Sequence, residues 1–355
     1  MPDLLIGEDE EEPAPRDRLE AEAHHAVTLL GRAWIRDIPA MWWLEEETAL
    51  LPASRPAPAS APRRSRAARG SASDSFVDDL RATLAGDPSG LDADVVMRLI
   101  TSPLGTPGCA VVLRDELTLP ELAGSAYLFN ARLFLGKAAP ADVRATAKGN
   151  LNQAFVDYMA GGMHLSADEE HWFSYGRPRR EDGFRALRAL RAVLTLAGLL
   201  EEKPRSFAVT DEGFRLLAEG AAGTLQALLF RTFFGPFDLA FLDQMGEDSL
   251  LQATVPYTLF MLSREAGEWL SPLDLRDRVV LEEIRDPEEE ASIFDETLWR
   301  FENRILAPLV GFGLLERRPH PDPPADGGRL DVGGYRYYQV RRTPLFDRFV
   351  GFDLT

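Results

Sequence analysis

Two stretches, "LTLAGLLEE" (Leu194–Glu202) and "PLVGFGLLERR" (Pro308–Arg318), read as the same helix ending written twice. Each is an apolar helix end that breaks at a glycine, resumes with two leucines and then turns charged. Upstream of the first, "ELAGSAYLFNARLFL" predicts a helix over 121–135, with apolar residues at 122, 128, 129, 133 and 135. "DVRAT" follows as a short extended piece. "GNLNQAFVDYM" is a second helix with Leu151, Phe155, Tyr158 and Met159 on one side, capped by Asn150 or Asn152. A loop over 160–180 leads to the third helix, "GFRALRALRAVLTLAGLL". "SFAVT" then reads as a strand, and "DEGFRLLAE" as a helix capped by Thr210 or Asp211.

The second copy has the same grammar. "LLQATVPYTLFMLSREAG" is a helix, and "EWLSPLDLRDRVVLEEI" is another, capped by Ser271 with Pro272 in its first turn. The third is "SIFDETLWRFENRILAPLVGFGLL", with Phe294, Leu298, Phe301 and Ile305 spaced four, three and four residues apart. A long hairpin with glycine pairs at 327–328 and 333–334 returns through "YRYYQVRRTPLF". Between the copies, residues 221–250 carry Phe230, Phe233, Phe234, Phe237 and Phe241, with a break at Gly235-Pro236, and are expected to form a core shared by both.

Three helices, a strand, a turn and a closing helix resemble the winged helix-turn-helix architecture. The phrase "AGLLEEKPRSFAVTDEGFRLL" resembles the third-helix exit, wing and following helix of small bacterial winged-helix regulators. The likeness covers 194–217 well and 121–219 loosely. It implies a fold and no ligand. The fuller chain, including "TAKGNLNQAFV", is similar to bacterial proteins of unknown function, which adds no chemistry. The expected fold is mainly α, with two winged-helix-like modules, 76–220 (with a preceding helical region) and 251–355, in tandem.

Ahead of these modules lie an acidic tail and a tryptophan-rich helical arm, 1–51, and a Pro/Ala/Ser/Arg linker, 52–75. Trp34, Trp42 and Trp43 are too many large aromatics for one short helix to cover, so the arm is expected to dock on the body or on a protein partner. With 355 residues, 45% of them hydrophobic, the chain can bury real cores. Its apolar runs stop short of the roughly 18 residues that a membrane span needs, and a cytoplasmic, membrane-free protein is the expectation. One cysteine, Cys109, makes neither a disulfide nor a cysteine-rich zinc site. A net charge of −18 repels nucleic acid on average, so any such contact needs a local basic patch.

That patch centres on the third helix of the first module. At about 100° per residue, Leu187, Leu190, Leu194 and Ala197 form its buried face, while Arg185 and Arg188 point away and Arg191 lies at the border. With both arginines facing outward, replacing them is expected to leave stability unchanged. Arg177, Arg179 and Arg180 precede the helix, and Lys203 and Arg205 follow it, where a winged-helix protein places groove and backbone contacts on duplex DNA. Glu181 and Asp182 at the helix start run against base contact, or serve the helix dipole. In the second module Asp295, Glu296 and Glu302 offset Arg300 and Arg304, and the basic residues lie in the wing, at Arg317, Arg318, Arg329, Arg336, Arg341 and Arg342.

No phosphate loop, Gly-x-Ser-x-Gly elbow or His-Glu-x-x-His is written in the chain. His164 and His171 flank Asp168, Glu169 and Glu170, a set that could hold zinc or manganese, but their spacing of seven fits no common helical pair. The sequence therefore points to a non-enzymatic nucleic-acid-binding or regulatory protein with no cofactor and no metal. Next come a scaffold that recruits a partner through the arm and, last, a metal enzyme around His164 and His171.

Overall fold

A computed structural model describes residues 90–102, 104, 106, 108–245, 249–281, 295–321 and 338–354. The expectations for the arm with Trp34, Trp42 and Trp43, for the 52–75 linker, and for Arg329 and Arg336 fall outside these residues. The described part is mainly helical, with small antiparallel sheets.

In the first module Ser125 caps helix α2 (Ala126–Ala138), its hydroxyl accepting from the Leu128 amide at 3.1 Å. The chain then forms strand β2 (Val143–Arg144) and helix α3 (Gln153–Gly162), and Asn152 is the cap of α3. The stretch read as a loop over 160–180 contains a further helix, α4 (Ala167–Ser174). Helix α5 (Arg185–Leu196) leads into strands β3 (Leu200–Lys203) and β4 (Ser206–Val209). The three strands form one antiparallel sheet in the order β2-β4-β3, with Val143 opposite Phe207 and Leu200 opposite Val209. Thr210 then caps a short helix, α6 (Asp211–Leu216).

The second module repeats the order. The helix read from "LLQATVPYTLFMLSREAG" divides at Thr254 into Ser249–Ala253 (α8) and Val255–Glu265 (α9), with Pro256 in the first turn of α9. Leu270 forms an isolated bridge to Val340, and Ser271 caps α10 (Pro272–Val279). The third helix runs as Glu296–Phe301 (α11), a π turn at Glu302–Leu306, and Ala307–Gly311 (α12). Strands β5 (Leu315–Pro319) and β6 (Tyr338–Arg342) pair antiparallel.

The repeated ending is one hydrogen-bond device built twice. Gly198 at φ 69° and Gly313 at φ 75° take the left-handed conformation that glycine adopts most cheaply. Their amides donate to Thr195 and Val310 carbonyls at 3.0 and 2.9 Å, and the next residues, Leu199 and Leu314, donate to Leu194 and Leu309, both at 2.9 Å. A threonine then locks each turn. The Thr210 and Thr343 hydroxyls donate to the Gly198 and Gly313 carbonyls, each at 2.7 Å, across 12 residues in one module and 30 in the other. All the extra length lies in the second hairpin.

Helix α7 (Ala222–Phe234) joins the modules and carries three of the phenylalanines expected to form a shared core, Phe230, Phe233 and Phe234, while Phe237 and Phe241 follow it. Phe230 and Phe233 meet Phe312 of the second module edge-on at 5.1 and 5.6 Å. Tyr127 of the first stacks on Phe312 at 4.5 Å. Buried Gln226 bridges the two, accepting from the Ser125 hydroxyl at 2.9 Å and donating to the Phe312 carbonyl at 3.1 Å. Aromatic pairs of this kind contribute about 0.5–1.5 kcal/mol each beyond area burial.

Strand β1 (Val111–Leu113) has a remote partner: β7 (Val350–Phe352), which follows helix α13 (Pro344–Phe349). Helix α1 (Ala93–Thr101) packs on α9. Helix α1 and strand β1 therefore belong structurally with the second module, where the sequence placed this region ahead of the first.

Candidate nucleic-acid interface

Phe184, which precedes α5, supplies no side-chain cap. Glu169 on α4 takes that role from outside, its Oε1 accepting from the Ala186 amide at 3.1 Å, and burial raises its pKa. Glu181 and Asp182 lie in a short 3-10 turn before the helix. Glu181 is buried, pairs with Arg191 Nε at 2.6 Å and accepts from the Leu151 amide at 2.6 Å. Asp182 accepts from the Asn150 side-chain amide at 2.6 Å. The two acids therefore tie the starts of α3 and α5 together, and Arg191 is a core residue with its guanidinium 4.8 Å from the Phe207 ring.

Arg185 and Arg188 are not the free groups that the helical wheel implies. A short 3-10 segment, Leu239–Leu242, lies along this side of α5. Arg185 Nη1 donates to the Leu242 carbonyl at 2.9 Å, and the Arg188 guanidinium sits 5.1 Å from the Phe241 ring. Burial works against the charge of Arg188, lowering its pKa, and Glu181 and Asp182 oppose that shift. Each therefore touches the inter-module segment, so replacing both is expected to cost some stability, where the helical wheel alone predicted no change.

The remaining cations differ. Lys203 pairs with Asp142 at 3.2 Å, both half-exposed. Arg177, Arg179 and Arg180 before α5, and Arg205 in the β3–β4 turn, are exposed.

The third helix of the second module is committed inward as well. Arg300 pairs with Glu296 at 2.6 Å, and the Asn303 amide donates to the Trp299 carbonyl at 2.8 Å. Arg304, which the sequence set against Glu302, instead grips Asp243 with two bonds, at 2.7 and 2.8 Å. In the β5–β6 hairpin Arg318 and Arg341 lie over Trp269 at 4.3 and 4.7 Å, and Arg317 lies over Tyr338 at 3.8 Å. Trp269 carried no sequence signal because its partners are 49 and 72 positions away.

In the π turn, Glu302 is pushed up to about 7 by burial, against a hydrogen bond from Tyr338 and the charge of Arg317. The folded chain therefore keeps a proton that the unfolded chain releases near 4.5. Stability is expected to fall as pH rises from about 4.5 to about 7, and to stop responding to this group above that. Glu302→Gln should remove that part of the slope in urea midpoints measured across the range. An unchanged slope would assign the effect elsewhere.

His164 is exposed, and its ring stacks on Phe129 at 3.9 Å and 6°. Asn130 clasps its backbone with two 2.8 Å bonds. The side chains of Asp168 and His171 lie outside those described. Among the described residues no group of three or more His, Cys, Asp or Glu is placed to hold a metal ion, and no helix is long and apolar enough to cross a membrane. Comparison with protein-family models, curated proteins and solved structures finds no match.

Proposed function

We propose that the chain is a non-enzymatic nucleic-acid-binding or regulatory protein built on two winged-helix modules. The order α2, β2, α3, α5, β3, β4 with strand order β2-β4-β3 supports the winged-helix reading, as does its echo from α9 to β6 through the Leu270–Val340 bridge. One observation carries the nucleic-acid reading. Arg177, Arg179, Arg180 and Arg205 stand exposed on the first module, at the loop before its third helix and at its hairpin turn, in a chain of net charge −18.

The test is fluorescence anisotropy of the full chain on mixed-sequence duplex, beginning at low salt and titrating salt upward. Binding with a negative slope of log affinity against log salt is expected. A flat titration at low salt would end this reading. The inward commitment of both third helices favours one other reading, a rigid scaffold for a protein partner. In that case duplex is ignored and Trp42→Ala with Trp43→Ala abolishes a pull-down.

A further inference from the structure

Resting on that reading, we infer that the first module holds duplex nucleic acid by its phosphates alone, without sequence preference. The face is made of the β2–α3 loop, the β3–β4 turn and the loop before α5, so Arg144 and Lys148 join Arg177, Arg179, Arg180 and Arg205.

Hydrogen bonds link these three loops into one surface. Arg144 on β2 lies opposite Ser206, and the Ala145 amide donates to the Arg205 carbonyl at 2.8 Å, which fixes the hairpin turn beside β2. Thr146 to Asn150 form a tight turn with Lys148 near its tip, closed by Thr146 amide to Asn150 carbonyl at 2.7 Å. From that turn Asn150 reaches Asp182, and the Leu151 amide reaches Glu181, which brings in the segment that carries Arg180. All six cations are exposed, and none has an ion pair among the described residues. Several arginines elsewhere are already paired with acids: Arg191 on Glu181 and Arg304 on Asp243 inside the fold, and Arg300 on Glu296 and Arg341 on Glu316 nearer the surface. Of the acids that reach this surface, Glu181 is buried and paired, Asp182 is held by Asn150, and Asp142 is engaged by Lys203 and Ser206.

Reading bases needs free donors or acceptors on an element that enters a groove. The outer stripe of α5 is Arg185, Arg188, Ala192, Thr195 and Leu196. Its two arginines hold Leu242 and Phe241, and its hydroxyl donates to the Arg191 carbonyl at 3.0 Å. What remains is apolar or engaged with a neighbour, and both arginines are turned toward the Leu239–Leu242 segment, so α5 offers little to read a sequence with. Protein interfaces are built around an apolar, charge-poor centre, which this set of six cations lacks. That favours a polyphosphate duplex over an acidic protein surface. The acidic remainder of the chain repels the duplex and leaves this end as the one that docks.

The experiment uses the full chain and labelled duplexes of about two helical turns, roughly 20 base pairs, of unrelated sequence. Affinities should agree within about threefold. Arg144→Ala with Lys148→Ala should lower the salt slope by about 1.8, or roughly 0.9 for each phosphate no longer neutralised. The melt should stay in place, since both side chains are exposed. Arg144→Lys with Lys148→Arg should restore the slope, and Arg185→Ala should leave it unchanged. Wild type that binds but keeps its slope in the double alanine variant overturns the inference and leaves the functional reading standing. So does a preference above tenfold for one duplex, or equal capture of a polyglutamate peptide. No duplex binding by wild type at low salt overturns both.

Discussion

Replacing Asp243 with alanine is expected to lower folding stability by about 3–5 kcal/mol, read as a fall in the urea midpoint. Asp243 and Arg304 meet through two bonds of 2.7 and 2.8 Å, with side chains 0% and 1% exposed. Removing the carboxylate strands a guanidinium where water cannot reach it, and that desolvation sets the size of the effect. Asp238 lies close enough for Arg304 to influence its ionisation, which softens the loss toward the lower end. Exchanging both partners together, Asp243→Leu with Arg304→Met, should recover most of the stability, because no charge is left behind. A loss below about 1 kcal/mol in the single variant would place it among ordinary surface changes and show that the pair does not fasten the modules.

The twin glycines should respond unequally to the same substitution. Gly198→Ala meets open space, so its cost is the left-handed backbone alone, about 1–2 kcal/mol. At Gly313 an added Cβ would also stand 2.8 Å from the Gly124 backbone, where α2 of the first module begins. Overpacking of that kind costs about 1–3 kcal/mol more. Gly313→Ala is therefore expected to lose about 3 kcal/mol, and to disturb the neighbouring stack of Tyr127 on Phe312. Equal shifts in the two melts would mean that the module contact relaxes freely around the new methyl.

Much of the fold was legible because it is written locally. The two Gly-Leu-Leu endings, the "DVRAT" and "SFAVT" strands, the aromatic connector and the threonine before α6 all follow from spacing and caps within a few residues. Helix α4 was hidden because "ADEEHWFS" has no clear apolar face. The candidate site was legible only as a list of cations. A helical wheel shows which way Arg188 leaves its own helix, but not that Phe241 waits in a segment some fifty positions later. Arg144 and Lys148 gave no signal at all, since β-pairing and the Asn150–Asp182 bond place them and neither lies on the third helix.

The pairing of β1 with β7 also sets an order of events in time. Arg98 donates to the Asp353 carbonyl from 255 positions away, and β1 is almost as remote from its partner strand. At about 5–20 residues per second, a growing chain would present β1 roughly ten seconds or more before β7 exists. Residues 125–216 complete their helices and sheet from contacts made within that window, so the first module can fold while the ribosome is still at work. Strand β1 meanwhile waits as an unpaired edge, and its length of three residues keeps that edge a poor template for stray strands. Closing so long a loop is entropically late, so the β1–β7 pair is expected to be the last latch in refolding as well as in synthesis.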